Sequence, residues 1–129
     1  MSPIWVPASV VITIHAELVR EHGGLPGPPR DSALESTLAR PQQLLNYAGS
    51  VPSIFELAAA YGFGLARNHC FPDGNERLAL VITDVFLQLN GFELIAREED
   101  AVLTIRSLAA GELTESELAT WIQYNCASS

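Results

Sequence analysis

The stretch NHCFPDGNERLALV, residues 68–81, crowds His69, Asp73, Asn75 and Arg77 against the start of an apolar run. A loop that only starts a helix needs one capping side chain. This one carries several, with Pro72 and Gly74 between them to shape the backbone. The first N–H groups of a helix lack intrahelical partners and carry partial positive charge, so such a start suits an anion. Gly74 lets a ligand approach the backbone, and Asn75 can aim an amide donor at an oxygen. Arg77 can pair with a phosphate through its planar fork. A carboxylate beside a phosphate calls for a divalent cation between them, so Asp73 implies Mg²⁺. His69 is a proton acceptor near neutral pH. Jointly these parts describe transfer of a phosphate-containing group to a hydroxyl. His69 takes the hydroxyl proton, Asp73 holds the metal, and the helix start with Asn75 and Arg77 holds the charge that develops. Singly, each has an ordinary reading: Asp73 an N-cap, Gly74 and Asn75 turn residues, His69 a core histidine, Arg77 an ion-pair partner. Phe71 reads as the loop's core anchor in either case.

Outward from this stretch the chain reads as a string of helices. The apolar run continues to Asn90-Gly91 and is apolar nearly all round, which places this helix at the centre of a bundle. Upstream, Ser53-x-x-Glu56 is a capping box that opens SIFELAAAYGFGLARN, where Gly62 and Gly64 mark close helix packing. Ser32-x-x-Glu35 is a second box, opening a short helix that ends at Pro41. Residues 24–30, GLPGPPR, form a turn-rich connector, and before it Val10, Ile14 and Leu18 repeat at helical spacing between Pro7 and Gly23-Gly24. Downstream, REEDAVLTIRSLAAG ends at Gly111, and Thr114-x-x-Glu117 opens ESELATWIQYNC. Strand signals are scarce: LLNYAGSV, residues 44–51, has room for a hairpin or flap, and FELIA, residues 92–96, is weaker. The expected architecture is all-α, one domain over residues 1–129. His15 and His22 read as surface or helix-packing residues, Trp5 and Trp121 as core or interface anchors.

A net charge of −8 with only seven basic residues excludes a general nucleic-acid binder, so any phosphate site must be local. The N-terminal stretch lacks a basic leader and carries His15 and Glu17 inside its apolar run, so it reads as neither a signal peptide nor a membrane span. Cys70 and Cys126 are far apart and outside any CxxC pair, which suits reduced thiols and a cytoplasmic chain. No clustered carboxylates or histidines of ligand spacing suggest a metal hydrolase.

His69-Cys-Phe71-Pro-Asp73-Gly74-Asn75-Glu-Arg77 resembles the signature of the Fic/Doc family, H-x-F-x-[D/E]-G-N-x-R. Six fixed positions would coincide by chance in roughly one window in tens of millions, so the signal is specific. The resemblance runs along most of the chain. Residues 20–42 look like the first third of a Doc-type toxin, FELAAAYGFGLARNH like its pre-motif helix, and VFLQLNG like its post-motif ending. It implies a compact helical bundle with the motif between two central helices, and a flap, for which residues 44–51 are the candidate. In Fic enzymes a second Arg, three places after the first, orients ATP for AMP transfer; here that position is Leu80. The Doc branch also lacks it. The resemblance to Doc therefore implies a kinase-like transferase that moves the terminal phosphate of ATP, with Mg²⁺, to a Thr of elongation factor Tu, inhibiting translation. It also implies a Phd-type antitoxin as the protein partner of a toxin–antitoxin system, and no membrane or direct nucleic-acid partner.

Position 76 departs from the pattern: Glu stands where Fic enzymes usually have Gly and Doc has Lys. A carboxylate beside a triphosphate weakens binding unless it turns outward or joins the metal shell. Two alternatives stay open, an AMP transferase on the same site and a Fic-fold binding module that transfers nothing.

Overall fold

Two helix starts are fixed by short-range chemistry. The Ser53 hydroxyl accepts from the Glu56 N–H at 3.1 Å while the Glu56 carboxylate accepts from the Ser53 N–H. Thr114 and Glu117 repeat this reciprocal pair. Such caps contribute about 1 kcal/mol each. The computed structural model describes residues 2–30, 32–47 and 49–129. In chain order the helices are α1 (Ala8–His22), α2 (Ala33–Tyr47), α3 (Ile54–Arg67), α4 (Asn75–Leu89), α5 (Glu98–Ala109) and α6 (Glu115–Tyr124). Two strands, β1 (Phe92–Leu94) and β2 (Cys126–Ser128), pair antiparallel with Glu93 opposite Ala127. None of the helices is long and apolar enough to cross a membrane.

The centre of the bundle is α3 rather than α4. Ten of the fourteen α3 residues are buried, against six of fifteen in α4. Small residues make this possible. A β-carbon on Gly62 would stand 2.8 Å from Thr83 Oγ1, and one on Gly64 would stand 2.7 Å from Thr37 Cγ2. The run Ala58-Ala59-Ala60 is fully buried as well, so α2, α4, α5 and α6 all pack against α3. The apolar residues of α4 that looked uniform divide into a buried face (Leu78, Ile82, Phe86) and a half-buried one (Leu80, Val81, Val85).

Pro41 does not end α2, which continues to Tyr47. Proline inside a helix removes one backbone bond and costs about 3 kcal/mol. Here, however, Leu34, Leu38, Pro41 and Leu45 recur at helical spacing on the core-facing side, and the buried Pro41 ring fills its place in that stripe. The flap expected at 44–51 is accordingly not a hairpin among the described residues. Residues 44–47 are the last turn of α2, Gly49-Ser50 is a bend, and Ala48 lies outside the described residues. Strand signal at FELIA was genuine; its partner is the far C-terminal segment.

The N-terminal segment closes one side. The Val6 N–H donates to the Tyr61 hydroxyl at 3.1 Å, and the Asn90 side chain bonds both the N–H and the C=O of Ile4. Trp5 stacks on Phe86, as an anchor should.

Candidate active site

The loop between α3 and α4 is held from three directions. From within, the Asn75 amide accepts from the Phe71 N–H at 3.1 Å and donates to the Phe71 carbonyl at 2.9 Å. From α1, the buried His15 ring stacks on Phe71 with centroids 3.8 Å apart, and its Nε2–H donates to the Asp73 carbonyl at 2.8 Å. From the connector, Arg30 donates to the carbonyls of His69 (2.8 Å) and Asn68 (2.6 Å), and its own N–H reaches the Cys70 carbonyl. Behind the loop, Thr37 of α2 meets Cys70 Sγ at 3.3 Å and accepts from the Asn68 amide. Cys70 and Phe71 are buried, so the loop is pinned by its interior-facing residues.

This pinning turns the polar residues outward. His69 adopts a φ of 49°, left-handed backbone that a residue with a β-carbon takes up only when held there, and its side chain is exposed. Gly74, at φ 76°, is the N-cap of α4, a conformation glycine adopts without strain. The N–H groups of Asn75, Glu76 and Arg77 follow it, in the first turn where no intrahelical acceptor exists. Asp73 is not the capping residue it resembled. Its carboxylate accepts from the Leu25 N–H at 3.1 Å and from the Gly74 N–H at 2.9 Å. These donors, Leu25 first, hold its pKa below the ordinary aspartate value, so Asp73 is an anion at neutral pH.

His69, Asp73, Gly74, Asn75, Glu76 and Arg77 together line one cavity of about 580 Å³, within the range of small-molecule sites. Its other walls are Ala66 at the end of α3, Pro72, and Arg106, Ala109 and Ala110 at the end of α5. Alanines at both helix ends leave the room. A larger hollow of about 650 Å³ lies between the N-terminal segment and α2, walled by Trp5, Leu34 and Leu38, and none of the motif residues line it.

Sequence reading thus placed all five candidate residues on one cavity, but one of them does other work. The Asn75 side chain, expected to aim at an oxyanion, clamps the backbone of Phe71 instead. Three residues of the site were missed. His15 and Arg30 hold the loop from 58 and 39 residues away, and no local pattern marks them. Arg106 enters from α5, outside the motif.

Among the described residues no group of three or more His, Cys, Asp or Glu side chains is placed to hold a metal ion. Asp73 is a single carboxylate, and each of its oxygens keeps a lone pair beyond its one backbone bond. That suits a divalent ion arriving on the phosphates of a nucleotide, where one or two protein carboxylates suffice.

Comparison with known proteins gives the chain a family. The profile described as Fic/DOC family matches residues 5–87. The chain is 34% identical over 109 residues to the protein named "Protein kinase doc" of Escherichia phage P1, covering 84% of this chain and 85% of that protein. It is 40% identical over 63 residues to "Toxin Doc" of Mycolicibacterium smegmatis, about half of each chain.

Proposed function

Because the chain belongs to the Fic/DOC family, we propose that it is a Doc-like toxin that transfers the terminal phosphate of ATP to a protein hydroxyl. The target class is a Thr of a translation factor, elongation factor Tu first, and the neutralising partner is a separate Phd-type antitoxin. The observation that carries this reading is the exposed His69 on the rim of a cavity shared with the start of α4 and Arg77.

Each residue has a defined task. His69 receives the proton of the substrate hydroxyl as its oxygen bonds to the terminal phosphorus. The bond from that phosphorus to the bridging oxygen breaks, and ADP leaves with the electron pair. The Asn75, Glu76 and Arg77 N–H groups and the Arg77 guanidinium stabilise charge on the phosphoryl oxygens. Asn75 and Phe71 keep the loop in register so that these donors stay aligned. Asp73 would hold Mg²⁺, which when bound neutralises phosphate charge. Glu76 is exposed on the cavity wall, where it can turn to solvent.

AMP transfer on the same site is the competing chemistry. Against it stands Leu80, half-buried one turn beyond Arg77, where that orientation would want a cation. Incubation of the purified chain with Mg²⁺, a protein target and ATP labelled at either the α or the γ phosphorus separates the two. Label from the γ position alone is the expected outcome. Label from the α position would replace the reading with AMP transfer. The same label pattern with His69→Ala would remove His69 from the chemistry.

A further inference from the structure

All seven basic residues of the chain are arginines, and five have evident partners. Arg20 pairs with Glu17, Arg40 with Glu115, and Arg97 with Glu99. Arg30 bonds two loop carbonyls, and Arg67 lies over the Phe63 ring, 5.3 Å from its centroid. Arg77 and Arg106 form no ion pair or side-chain hydrogen bond among the described residues. Both line the 580 Å³ cavity, and both also line a hollow of about 220 Å³ beside it. The chain carries 15 acidic side chains against seven basic ones, so partners are not scarce. Glu76 and Glu98 line the smaller hollow too, yet neither pairs with either arginine.

A basic residue in the last turn of a helix has an ordinary explanation, attraction to the negative end of the helix dipole. Arg106 occupies the last turn of α5. The dipole explains a charge at that end of the helix; it does not explain why the residue lines the cavity of the α3–α4 loop together with Arg77. Two guanidiniums from different helices on one cavity suit an extended anion with several oxygens, and each planar fork can take two of them. We propose that Arg106 is a phosphate-binding residue, which with Arg77 forms a two-guanidinium clamp on the polyphosphate of the nucleotide. This deepens the nucleotide-transfer reading and rests on it for the identity of the ligand. The second cation also offsets the charge of Glu76 on the same wall.

The test is titration calorimetry of the purified full chain with two probes, Mg-ATP and inorganic tripolyphosphate. Wild type is compared with Arg106→Gln, Arg106→Lys and the remote control Arg97→Gln. Losing one charge-assisted contact should weaken both probes by roughly 10- to 100-fold in Arg106→Gln. Arg106→Lys, which keeps the charge without the fork, should fall between, and Arg97→Gln should bind as wild type does. Arg106 is exposed and its side chain bonds nothing among the described residues, so the melting temperature of Arg106→Gln should stay at the wild-type value. Wild-type binding of both probes by Arg106→Gln overturns the proposal, as does an equal loss in Arg97→Gln. If Arg106 governs tripolyphosphate binding but Mg-ATP does not bind, the anion site stands and the nucleotide reading falls. If Mg-ATP binds equally to wild type and Arg106→Gln, the nucleotide reading stands and the clamp falls. If wild type binds neither probe, both fall.

Discussion

His69 sits at φ 49° because Arg30 bonds the carbonyls on either side of the 68–69 step and Cys70 is drawn into the core behind it. Positioning and chemistry are therefore separable by mutation. His69→Ala removes an exposed ring, so stability should change by less than about 0.5 kcal/mol, while transfer falls about 10²- to 10⁴-fold; thermal melts and rate assays read the two. Asn75→Ala should behave in the opposite sense. It orphans the N–H and C=O of Phe71 and should cost about 1–3 kcal/mol in denaturant unfolding. Asp73 gives a pH signature. Its folded-state pKa lies below the unfolded one, because the Leu25 and Gly74 N–H groups favour the anion. Its contribution is therefore present above the ordinary aspartate range and lost as pH falls through the folded value. The difference in melting temperature between wild type and Asp73→Asn should narrow as pH drops below about 4; a difference constant with pH would mean the carboxylate charge is not what those N–H groups favour. The motif residues were legible in the sequence because they are consecutive. His15 and Arg30 were not, since a residue that bonds a loop 39 or more positions away leaves no periodic trace.

Among the elements, the caps at Ser53 and Thr114 were legible because both partners lie within one turn. Pro41 misled because a local rule, proline as a stop, competes with a longer one. The stripe Leu34, Leu38, Pro41, Leu45 carries the helix through. The same competition decided which helix is central. Overall apolarity favoured α4, but close packing on every side needs small residues, and α3 has them. This yields a coupled expectation. Gly64→Ala places a methyl 2.7 Å from Thr37 Cγ2, a β-branched side chain with little freedom to move. It should destabilise by about 1–3 kcal/mol. Thr37→Ser removes that methyl but keeps the hydroxyl that accepts from Asn68, so the double variant should recover part of the loss. Simple additivity of the two variants would show that the strain lies elsewhere.

For the whole molecule, charge distribution matters more than total charge. A chain at −8 repels free nucleotide at long range, yet it gathers on one cavity a helix start and two guanidiniums that pair with nothing among the described residues. The acidity that argued against nucleic acid in the sequence is therefore compatible with the local phosphate site proposed above. The motif half of that site was visible in the chain; the α5 half was not, because only packing of α5 against α3 and α4 brings Arg106 there. The most direct measurement is the intact mass of purified elongation factor Tu after incubation with this chain, Mg²⁺ and ATP. The expected result is a gain of one phosphoryl group, absent with His69→Ala. A gain of one AMP, or an unchanged mass with folded and ATP-bound protein, would contradict phosphate transfer to this target.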